Sequence, residues 1–351
     1  MMDEQTMLAA VVERPGTLTV REVPAPEVGP YDAKCRLLYG ATCSGTDQHI
    51  IAGRFPWPIT YPTILGHESV GEVIATGAKV RHYQVGDLIS RVGALPADDG
   101  ELNANWGGFA QYGIARDHRA MQEDEQPRSR WAPYRIHQVI PSEIDPAAAT
   151  MIITWRETLS TTIRLGIKAN DRVLVIGSGG NGLAFVTHAS YVKAKPIVMI
   201  GNAHRAPLAA RAGATGYVDY KASDVDDQLA ALSPGGFDYV IDAVGKAHTA
   251  DRVLSHMSPG GTLAIYGIDE YEATVVHPNR APGTFRIYQG GYDEAETHAE
   301  VVRRMLEGAL DASIWLDFDR TFRLQDIDQA IAAVRDRRLV KALVQLDSPE
   351  V

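Results

Sequence analysis

Short apolar or alternating runs, separated by proline and glycine, recur through the first 115 residues. Such runs predict short β-strands, and their irregular spacing favours a β-rich domain over a helical one. The strands predicted in this way are residues 17–23, 33–39, 68–75 and 88–92. The charged stretch 116–138 that follows has mixed polarity and predicts a surface excursion.

The periodicity then becomes helical over residues 141–164, and from residue 172 compact β-rich runs alternate with helical segments. The runs are 173–176, 197–200, 217–218, 239–241 and 262–266, and the helical segments are 182–192, 207–212, 225–232 and 248–257. This alternation predicts a parallel, doubly wound sheet. Helices at 294–307 and 324–336 and a strand at 342–346 are expected to rejoin the first domain. The predicted domains are therefore 1–155, completed by about 292–351, and 156–291.

Composition narrows the class of protein. A length of 351 residues favours two domains, and a net charge of −10 argues against nucleic acid or an anionic membrane surface as a partner. No apolar stretch approaches the roughly 20 residues of a membrane helix, and the opening MMDEQTM lacks the regions of a signal peptide. Cys35 and Cys43 are the two cysteines, which excludes a disulfide framework and favours a cytoplasmic location.

A glycine-rich segment directly follows the apolar run 173–176 and precedes a helical pattern. It has the form G-x-G-x-x-G, and its candidate cofactor-binding residues are Gly177, Gly179, Gly180, Asn181 and Gly182. Glycines here let the backbone approach a pyrophosphate at a helix N-terminus. The segment predicts a dinucleotide site; the alternative is a glycine-rich strand-to-helix turn that binds nothing.

The segment after the second predicted strand indicates which dinucleotide is preferred. NAD sites usually carry an acidic residue there, whereas this chain has Asn202, His204 and Arg205 and no carboxylate. A guanidinium beside small polar groups suits a 2′-phosphate. We expect NADP to be preferred, with NAD possible; the alternative is that Arg205 is a solvated residue at a helix start.

A second group of residues has the chemistry of a metal site. His67 and Glu68 are adjacent, and Cys43 precedes them by about two dozen residues. A thiol, an imidazole and a carboxylate together suit zinc. Taken singly, His67 could be a hydrogen-bonded core residue and Glu68 a surface strand residue. Metal and nicotinamide in one chain indicate hydride transfer to or from an alcohol.

Several segments together resemble the zinc-dependent medium-chain alcohol and polyol dehydrogenases over nearly the whole chain. They are Cys43 with GTDQH at 45–49, GHESVGEV at 66–73, VGD at 85–87, GGFAQY at 107–112, the glycine turn, DYVIDAVG at 238–245 and PGG at 259–261. The resemblance implies a GroES-like catalytic domain and a Rossmann domain, with one catalytic zinc between them. It implies Cys43, His67 and Glu68 as ligands, and Glu157 as a further ligand, direct or through water. The alternative for Glu157 is a helix-surface carboxylate.

The resemblance also implies roles for three other residues. Thr46 would hydrogen-bond the substrate oxygen, His49 would carry its proton onward, and Lys341 would lie near the pyrophosphate; a solvated surface lysine is the alternative. The chain reads Cys43-Ser44-Gly45-Thr46 where the family usually reads Cys-Gly-Thr or Cys-Gly-Ser, so one residue is inserted or Ser44 takes the thiolate position. Spacing and chemistry favour Cys43. Residues 93–106 lack cysteine, so no structural zinc is expected.

The predicted reaction is the reversible oxidation of a secondary alcohol or polyol hydroxyl to a ketone. Two other functions remain open, a zinc-independent quinone or enone reductase of the same superfamily and an inactive NADP-binding sensor. The predicted substrate is a small molecule, and its candidate pocket residues are Phe55, Trp57, Trp106 and Trp155. A homodimer or homotetramer is expected, with strand pairing near 262–268 and the following segment as in relatives.

Overall fold

The polypeptide passes twice between two structural units, at Ile153–Thr154 and at Thr297–His298. A computed structural model describes residues 6–96 and 100–347 of the chain. Unit 1 comprises Met1–Ile153 and His298–Val351, and unit 2 comprises Thr154–Thr297. The predicted domain boundaries, after residues 155 and 291, lie close to these two passages.

Most strands of the described residues are short. They are β1 (Thr6–Arg14), β2 (Thr17–Pro24), β3 (Asp32–Ala41), β4 (Thr63–Ile64), β5 (Glu68–Thr76), β6 (Leu88–Ser90), β7 (Asn103–Ala104), β8 (Tyr112–Arg116), β9 (Gln138–Ile140), β10 (Val173–Ile176), β11 (Ile197–Gly201), β12 (Gly216–Asp219), β13 (Phe237–Asp242), β14 (Met257–Ile265), β15 (Arg286–Tyr288), β16 (Thr321–Arg323) and β17 (Leu343–Gln345).

The α-helices of the same residues are mainly in unit 2 and near the C-terminus. They are α1 (Thr46–Ala52), α2 (His118–Glu123), α3 (Arg128–Trp131), α4 (Pro146–Ala149), α5 (Ile152–Leu165), α6 (Gly180–Tyr191), α7 (Ala206–Ala212), α8 (Val225–Leu232), α9 (His298–Leu306) and α10 (Ile327–Arg335). Among the described residues, no helix has both the length and the apolar character needed to cross a membrane.

Unit 1 contains two sheets, with strand orders β16-β17-β3-β5-β6-β9 and β2-β1-β4-β7, and β8 also pairs with β3. Strand β3 is central because β5 and β17 pair with it antiparallel. These pairings place Glu68 and Leu343 opposite Ala41, at the C-terminal end of β3. The residues that follow β3 are therefore brought close to the start of β5 and to the segment before β17.

Unit 2 contains one six-stranded sheet of order β12-β11-β10-β13-β14-β15, and every neighbouring pair in it is parallel. The strand order reverses between β10 and β13, and ligands of such sheets bind at the carboxyl ends of the strands near the reversal. The glycine turn directly follows β10 and so occupies this position. Strand β14 is paired on both sides over residues 262–264, which are therefore inside the sheet, and β15 forms its edge.

The predicted surface excursion 116–138 carries helices α2 and α3, since Asp117 caps α2 and Ala120 and Met121 are buried; most of its other residues are exposed or half-buried. One segment differs from its prediction. The helix predicted at 248–257 is instead the 3₁₀ helix Asp251–His256. It ends because Met257 already pairs with Phe237 as the first residue of β14.

Candidate functional site

Three predicted metal ligands meet in unit 1. A thiol sulfur of Cys43, a ring nitrogen of His67 and a carboxylate oxygen of Glu68 all lie within 4.8 Å of one another. His67 and Glu68 are buried, and Cys43 is half-buried. The pairing of β3 with β5 explains the arrangement, since Cys43 follows β3 by two residues and Glu68 begins β5.

Asp47, to which the sequence assigned no role, lies next to two of these ligands. Its side chain is fully buried in the first turn of α1. Its Oδ2 accepts a hydrogen bond from the backbone N–H of Cys43 at 2.7 Å, and its Oδ1 faces Nδ1 of His67 at 3.4 Å. A carboxylate beside one imidazole nitrogen fixes the tautomer and directs the other nitrogen toward a metal. The signal for this role was present in Cys43-x-x-x-Asp47, a spacing of one helical turn.

The same surroundings attract positive charge to the imidazole. Burial disfavours the charged ring, but the carboxylate of Asp47 and the thiol of Cys43 outweigh it and raise the pKa of His67 to about 10. A proton and a metal cation compete for the same ring nitrogen. The site is therefore suited to a cation at this position.

Lys341 is buried beside the third ligand. Its Nζ donates to Oε2 of Glu68, and it lies 3.3 Å from the carbonyl oxygen of Thr42. Burial disfavours the ammonium, but the charges of Glu68 and Cys43 raise the pKa of Lys341, which therefore stays a cation. The alternative of a solvated surface lysine is wrong, because only 2% of Lys341 is exposed. The predicted contact with a pyrophosphate stays a prediction.

The charges of this group fit a divalent cation. As ligands, Cys43 and Glu68 are negative, Asp47 adds a third negative charge, and Lys341 contributes one positive charge, while His67 binds metal in its neutral form. The net charge of the group is therefore two negative units, which one divalent cation neutralises. Sulfur, nitrogen and oxygen donors together suit zinc.

Thr46 and His49 lie on α1, next to the metal group. Oγ1 of Thr46, the first residue of α1, lies 3.8 Å from Sγ of Cys43. Nδ1 of His49 lies 2.6 Å from the carbonyl oxygen of Gly45, so Nδ1 carries the proton and Nε2 is an acceptor. Both side chains are half-buried, and their roles in proton transfer stay predictions.

Aromatic side chains line one side of His67. The ring of Trp106 lies 5.4 Å from the imidazole, and the ring of Phe55 lies 6.0 Å from Trp106 and 5.2 Å from Trp57. Three of the four aromatic residues predicted for the pocket thus form one cluster. Trp155 differs, because it is fully buried in unit 2 and is a core residue.

The glycine turn of unit 2 has the geometry of a dinucleotide cradle. Gly177 has φ = +105°, a conformation that side chains other than glycine rarely adopt. A Cβ at Gly182 would overlap the carbonyl oxygen of Gly177, so this residue permits close packing of α6 on β10. A Cβ at Gly179 would meet no atom within 4 Å, so this glycine leaves space for a ligand to approach. Gly180 and Asn181 begin α6, whose N-terminus suits an anion.

The residues predicted to contact the ribose and 2′-phosphate of the cofactor follow β11. The backbone N–H of Asn202 donates to Oγ of Ser178 at 3.2 Å, which ties this segment to the glycine turn. Oδ1 of Asn202 lies 2.8 Å from Nδ1 of His204, and the hydroxyl of Tyr217 donates to the carbonyl oxygen of Asn202 at 2.6 Å. His204 is exposed, and Arg205 is half-buried in the 3₁₀ helix Ala203–Arg205. Ser178 was not singled out from the sequence.

Glu157 lies on α5 in unit 2. Its Oε2 accepts a hydrogen bond from the hydroxyl of Tyr266 at 3.4 Å. The group of metal-ligating side chains found among the described residues consists of Cys43, His67 and Glu68 and does not include it. The role of Glu157 as a further zinc ligand stays a prediction.

Both units match known protein families. Residues 180–288 match the zinc-binding dehydrogenase family, and residues 29–125 match the GroES-like domain of alcohol dehydrogenases. Together the two matches cover more than half of the chain. It belongs to the zinc-type medium-chain dehydrogenases. The predicted family, the GroES-like and Rossmann fold and the dehydrogenase activity are therefore confirmed.

Individual relatives of this dehydrogenase act on different substrates. It is 28% identical to an alcohol dehydrogenase of Cupriavidus necator, over 77% of this chain and 78% of that one. It is also 28% identical to an L-threonine 3-dehydrogenase of Paraburkholderia phytofirmans, over 93% and 94%. A structure described as a zinc-binding dehydrogenase of Sinorhizobium meliloti bound to NADP has a TM-score of 0.78 and 25% identity, covering 97% and 99%. The 2R,3R-butanediol dehydrogenase of Bacillus subtilis has a TM-score of 0.79 at 23% identity, covering 98% and 100%, and shows the fold.

Proposed function

We propose that this dehydrogenase interconverts a secondary alcohol or polyol hydroxyl and a ketone, with one catalytic zinc and with NADP as the preferred cofactor. The observation that carries the proposal is the group of sulfur, nitrogen and oxygen donors with two net negative charges. Cys43, His67 and Glu68 would hold the metal. Bound there, zinc would supply Lewis acidity toward the substrate oxygen, and the nicotinamide would exchange the hydride.

The protein's own residues prepare this chemistry. Asp47 places a carboxylate oxygen 3.4 Å from Nδ1 of His67, which favours a proton on that nitrogen and leaves Nε2 for the metal. Lys341 holds Oε2 of Glu68 and limits how many negative charges the buried group presents. The cluster of Phe55, Trp57 and Trp106 offers apolar surface to the carbon chain of a substrate.

A proton must leave the hydroxyl as the hydride departs. Oγ1 of Thr46, within 3.8 Å of the Cys43 sulfur, is the group we assign to hydrogen-bond the reacting oxygen. His49 would receive the proton at Nε2, since its Nδ1 is directed to the Gly45 carbonyl. Both groups act as relays, and each is half-buried.

Metal analysis combined with two alanine variants tests the zinc part of the proposal. Purified protein should contain about one zinc per chain, and Cys43→Ala should lose both zinc and turnover of secondary alcohols while it stays folded. Cys35→Ala is the matched control, because this second thiol is buried in the core of unit 1. Full activity after exhaustive chelation, or equal reduction of cyclohexenone without metal, would overturn the proposal in favour of an enone reductase. NADP binding without turnover of any alcohol or ketone would favour a sensor.

The NADP preference is supported by the absence of a carboxylate among residues 201–205 and by the relative that holds NADP. Replacing Arg205 with alanine should lower kcat/KM for NADP by about tenfold or more and change the value for NAD little, because only NADP carries the 2′-phosphate. Arg211→Ala, on the exposed surface of α7, is the control. A wild-type preference for NAD would end this part of the proposal.

Assembly is the last part of the proposal. The edge strand β15 carries Ile287, which is 54% exposed, and a sheet edge can pair with a second copy of the same strand. We expect a homodimer or homotetramer. Mass measurement in solution, repeated with Ile287→Lys, should show the variant shifted toward the monomer.

A further inference from the structure

We infer that the aromatic cluster of Trp106, Phe55 and Trp57 binds an apolar ring of the substrate, so that the preferred substrates are secondary alcohols that carry an aryl or cycloalkyl group. This inference rests on the proposed function and names the substrate class of the same site. All three rings belong to unit 1, as the metal ligands do.

The aromatic cluster begins at a metal ligand. The ring of Trp106 lies 5.4 Å from the imidazole of His67, with an angle of 50° between the planes. The imidazole is buried, whereas Trp106 is half-buried. Because the two rings are in contact, a substrate held at the metal group lies next to the indole.

The cluster continues from Trp106 to the surface of the protein. Phe55 packs edge-on against Trp106 at 6.0 Å, and Trp57 packs against Phe55 at 5.2 Å. Phe55 and Trp106 also pack against the hydrophobic core of unit 1, and Trp57 is 50% exposed. The three rings therefore form one apolar surface that extends from the imidazole of His67 to solvent.

The backbone and a buried cation hold Trp106 in place. A Cβ at Gly93 would overlap the carbonyl oxygen of Trp106, so the two chain segments are in direct contact. The backbone N–H of Ala94 donates to the carbonyl oxygen of Gly107 at 2.9 Å. The guanidinium of Arg91, which is 7% exposed, lies 5.7 Å from the centre of the indole ring. A ring that is already fixed loses little conformational freedom when a ligand packs on it.

The segment that carries the other two rings is tied to helix α1 at both ends. Before it, the backbone N–H of Arg54 donates to the carbonyl oxygen of His49 at 2.8 Å. After it, the hydroxyl of Tyr61 donates to the carbonyl oxygen of Ile50 at 2.6 Å. The same helix begins with Thr46, the residue that we assign to the reacting oxygen. The aromatic surface is therefore fixed to the helix that carries the proposed proton path.

The chemistry of the cluster favours an apolar ring over a polyol chain. A phenyl or cyclohexyl ring gives up no hydrogen bond when it leaves water, and its burial is favourable. Contacts between aromatic rings contribute a further factor of about two to ten in affinity. A second hydroxyl placed on the same surface would lose its hydrogen bonds to water without replacement. Secondary alcohols with a ring should therefore be better substrates than short-chain alcohols or polyols.

The test compares four alcohols with the zinc-loaded enzyme: 1-cyclohexylethanol, 4-phenyl-2-butanol, 2-butanol and 2,3-butanediol. Neither ring is conjugated with the reacting carbon, so a difference in rate reports binding of the ring rather than its electronic effect. The wild type should show kcat/KM for each ring-bearing alcohol about tenfold or more above the value for 2-butanol. The value for 2,3-butanediol should be the lowest, because its second hydroxyl faces an apolar surface.

Two variants test the position of the ring along the cluster. Trp106→Leu should lower the ratio of each ring-bearing alcohol to 2-butanol by about threefold to tenfold. Trp57→Ala should lower the ratio only for 4-phenyl-2-butanol, since its longer linker lets the ring reach the outer end of the cluster. Trp131→Ala is the matched control, because this half-buried tryptophan lies on α3 and its indole N–H donates to the carbonyl oxygen of Gln126. The control should leave both ratios unchanged.

Zinc content and thermal unfolding are measured for every variant. Unchanged ratios in a folded, zinc-loaded Trp106→Leu variant overturn the inference, as does a wild-type preference for 2-butanol or 2,3-butanediol over both ring-bearing alcohols. If Trp106→Leu does not fold, the exposed position Trp57 decides, and an unchanged ratio for 4-phenyl-2-butanol in Trp57→Ala overturns the inference. Failure of the proposed function is seen separately, as wild-type enzyme without zinc or without turnover of any of the four alcohols, and the inference then fails with it.

Discussion

Replacing Asp47 with asparagine tests whether this buried carboxylate prepares the metal group. The amide oxygen of asparagine can still accept the hydrogen bond from the Cys43 backbone, so the local fold should survive. The amide NH₂ would then face Nδ1 of His67, where the carboxylate oxygen now lies at 3.4 Å. The variant therefore loses the partner that fixes the imidazole tautomer, together with one of the negative charges that attract the metal.

The expected loss of zinc affinity follows from the effect of such carboxylate partners at other metal sites. Loss of a carboxylate partner from a metal-binding histidine weakens metal affinity by about tenfold to hundredfold, or about 1.4 to 2.8 kcal/mol. Competition between the protein and a zinc-binding dye measures this difference directly. Thermal unfolding of the same samples shows whether the variant is folded.

A second buried aspartate serves as the matched control. Asp117 is also fully buried and accepts backbone hydrogen bonds, from Ala120, Arg81 and His82, but it caps α2. Asp117→Asn should lower stability and leave zinc affinity unchanged. A folded Asp47→Asn variant that binds zinc within about twofold of the wild type would refute the role we assign to Asp47.

Three further predictions concern other parts of the molecule. Lys341→Met should lower the free energy of unfolding of the zinc-free protein by about 3 kcal/mol or more, because it leaves Glu68 buried without its cation. Urea unfolding measures this difference, and a loss of stability below about 1 kcal/mol would contradict the prediction. Gly182→Ala should weaken NADP binding at least about tenfold, measured by nucleotide fluorescence, since a Cβ there overlaps the backbone of the turn. Arg172 lowers the pKa of Asp238 from 3.8 to about 2, so the pair stabilises the fold above that ordinary value and loses its contribution as pH falls toward 2. The difference in unfolding free energy between wild type and Asp238→Asn should therefore shrink with acidification, and a constant difference would contradict the assignment.

The parts of the site that depend on neighbouring residues were predictable from the sequence. The glycine turn is one example, because the strand β10, the turn and the start of α6 are contiguous, and the need for glycine at Gly177 and Gly182 arises within the turn itself. The adjacent ligands His67 and Glu68 are another. Their meeting with Cys43 was inferred from chemistry and family resemblance, and the pairing of β3 with β5 now explains it.

The contacts that depend on distant pairing were not predictable. Lys341 and Glu68 are 273 positions apart and meet because β17 and β5 both pair with β3. No local pattern distinguishes such a lysine from a solvated one. The helices within the surface excursion 116–138 were not predicted for a related reason, because its charged composition conceals the two buried residues, Ala120 and Met121, on which α2 packs.

The position of Lys341 also bears on which metal the group can hold. A buried cation beside three negative side chains lowers the affinity of the group for any metal, so its presence needs a compensating reason. Without Lys341, the group would carry three net negative charges, and a divalent ion would leave one of them buried and uncompensated. With it, the group is neutral when one divalent ion is bound, and a carboxylate oxygen of Glu68 is held away from alternative partners. The lysine thus lowers the affinity of the group for metal and makes the metal-bound group electrically neutral. A neutral metal-bound group agrees with the proposed role of the metal, which is to polarise a substrate rather than only to stabilise the fold.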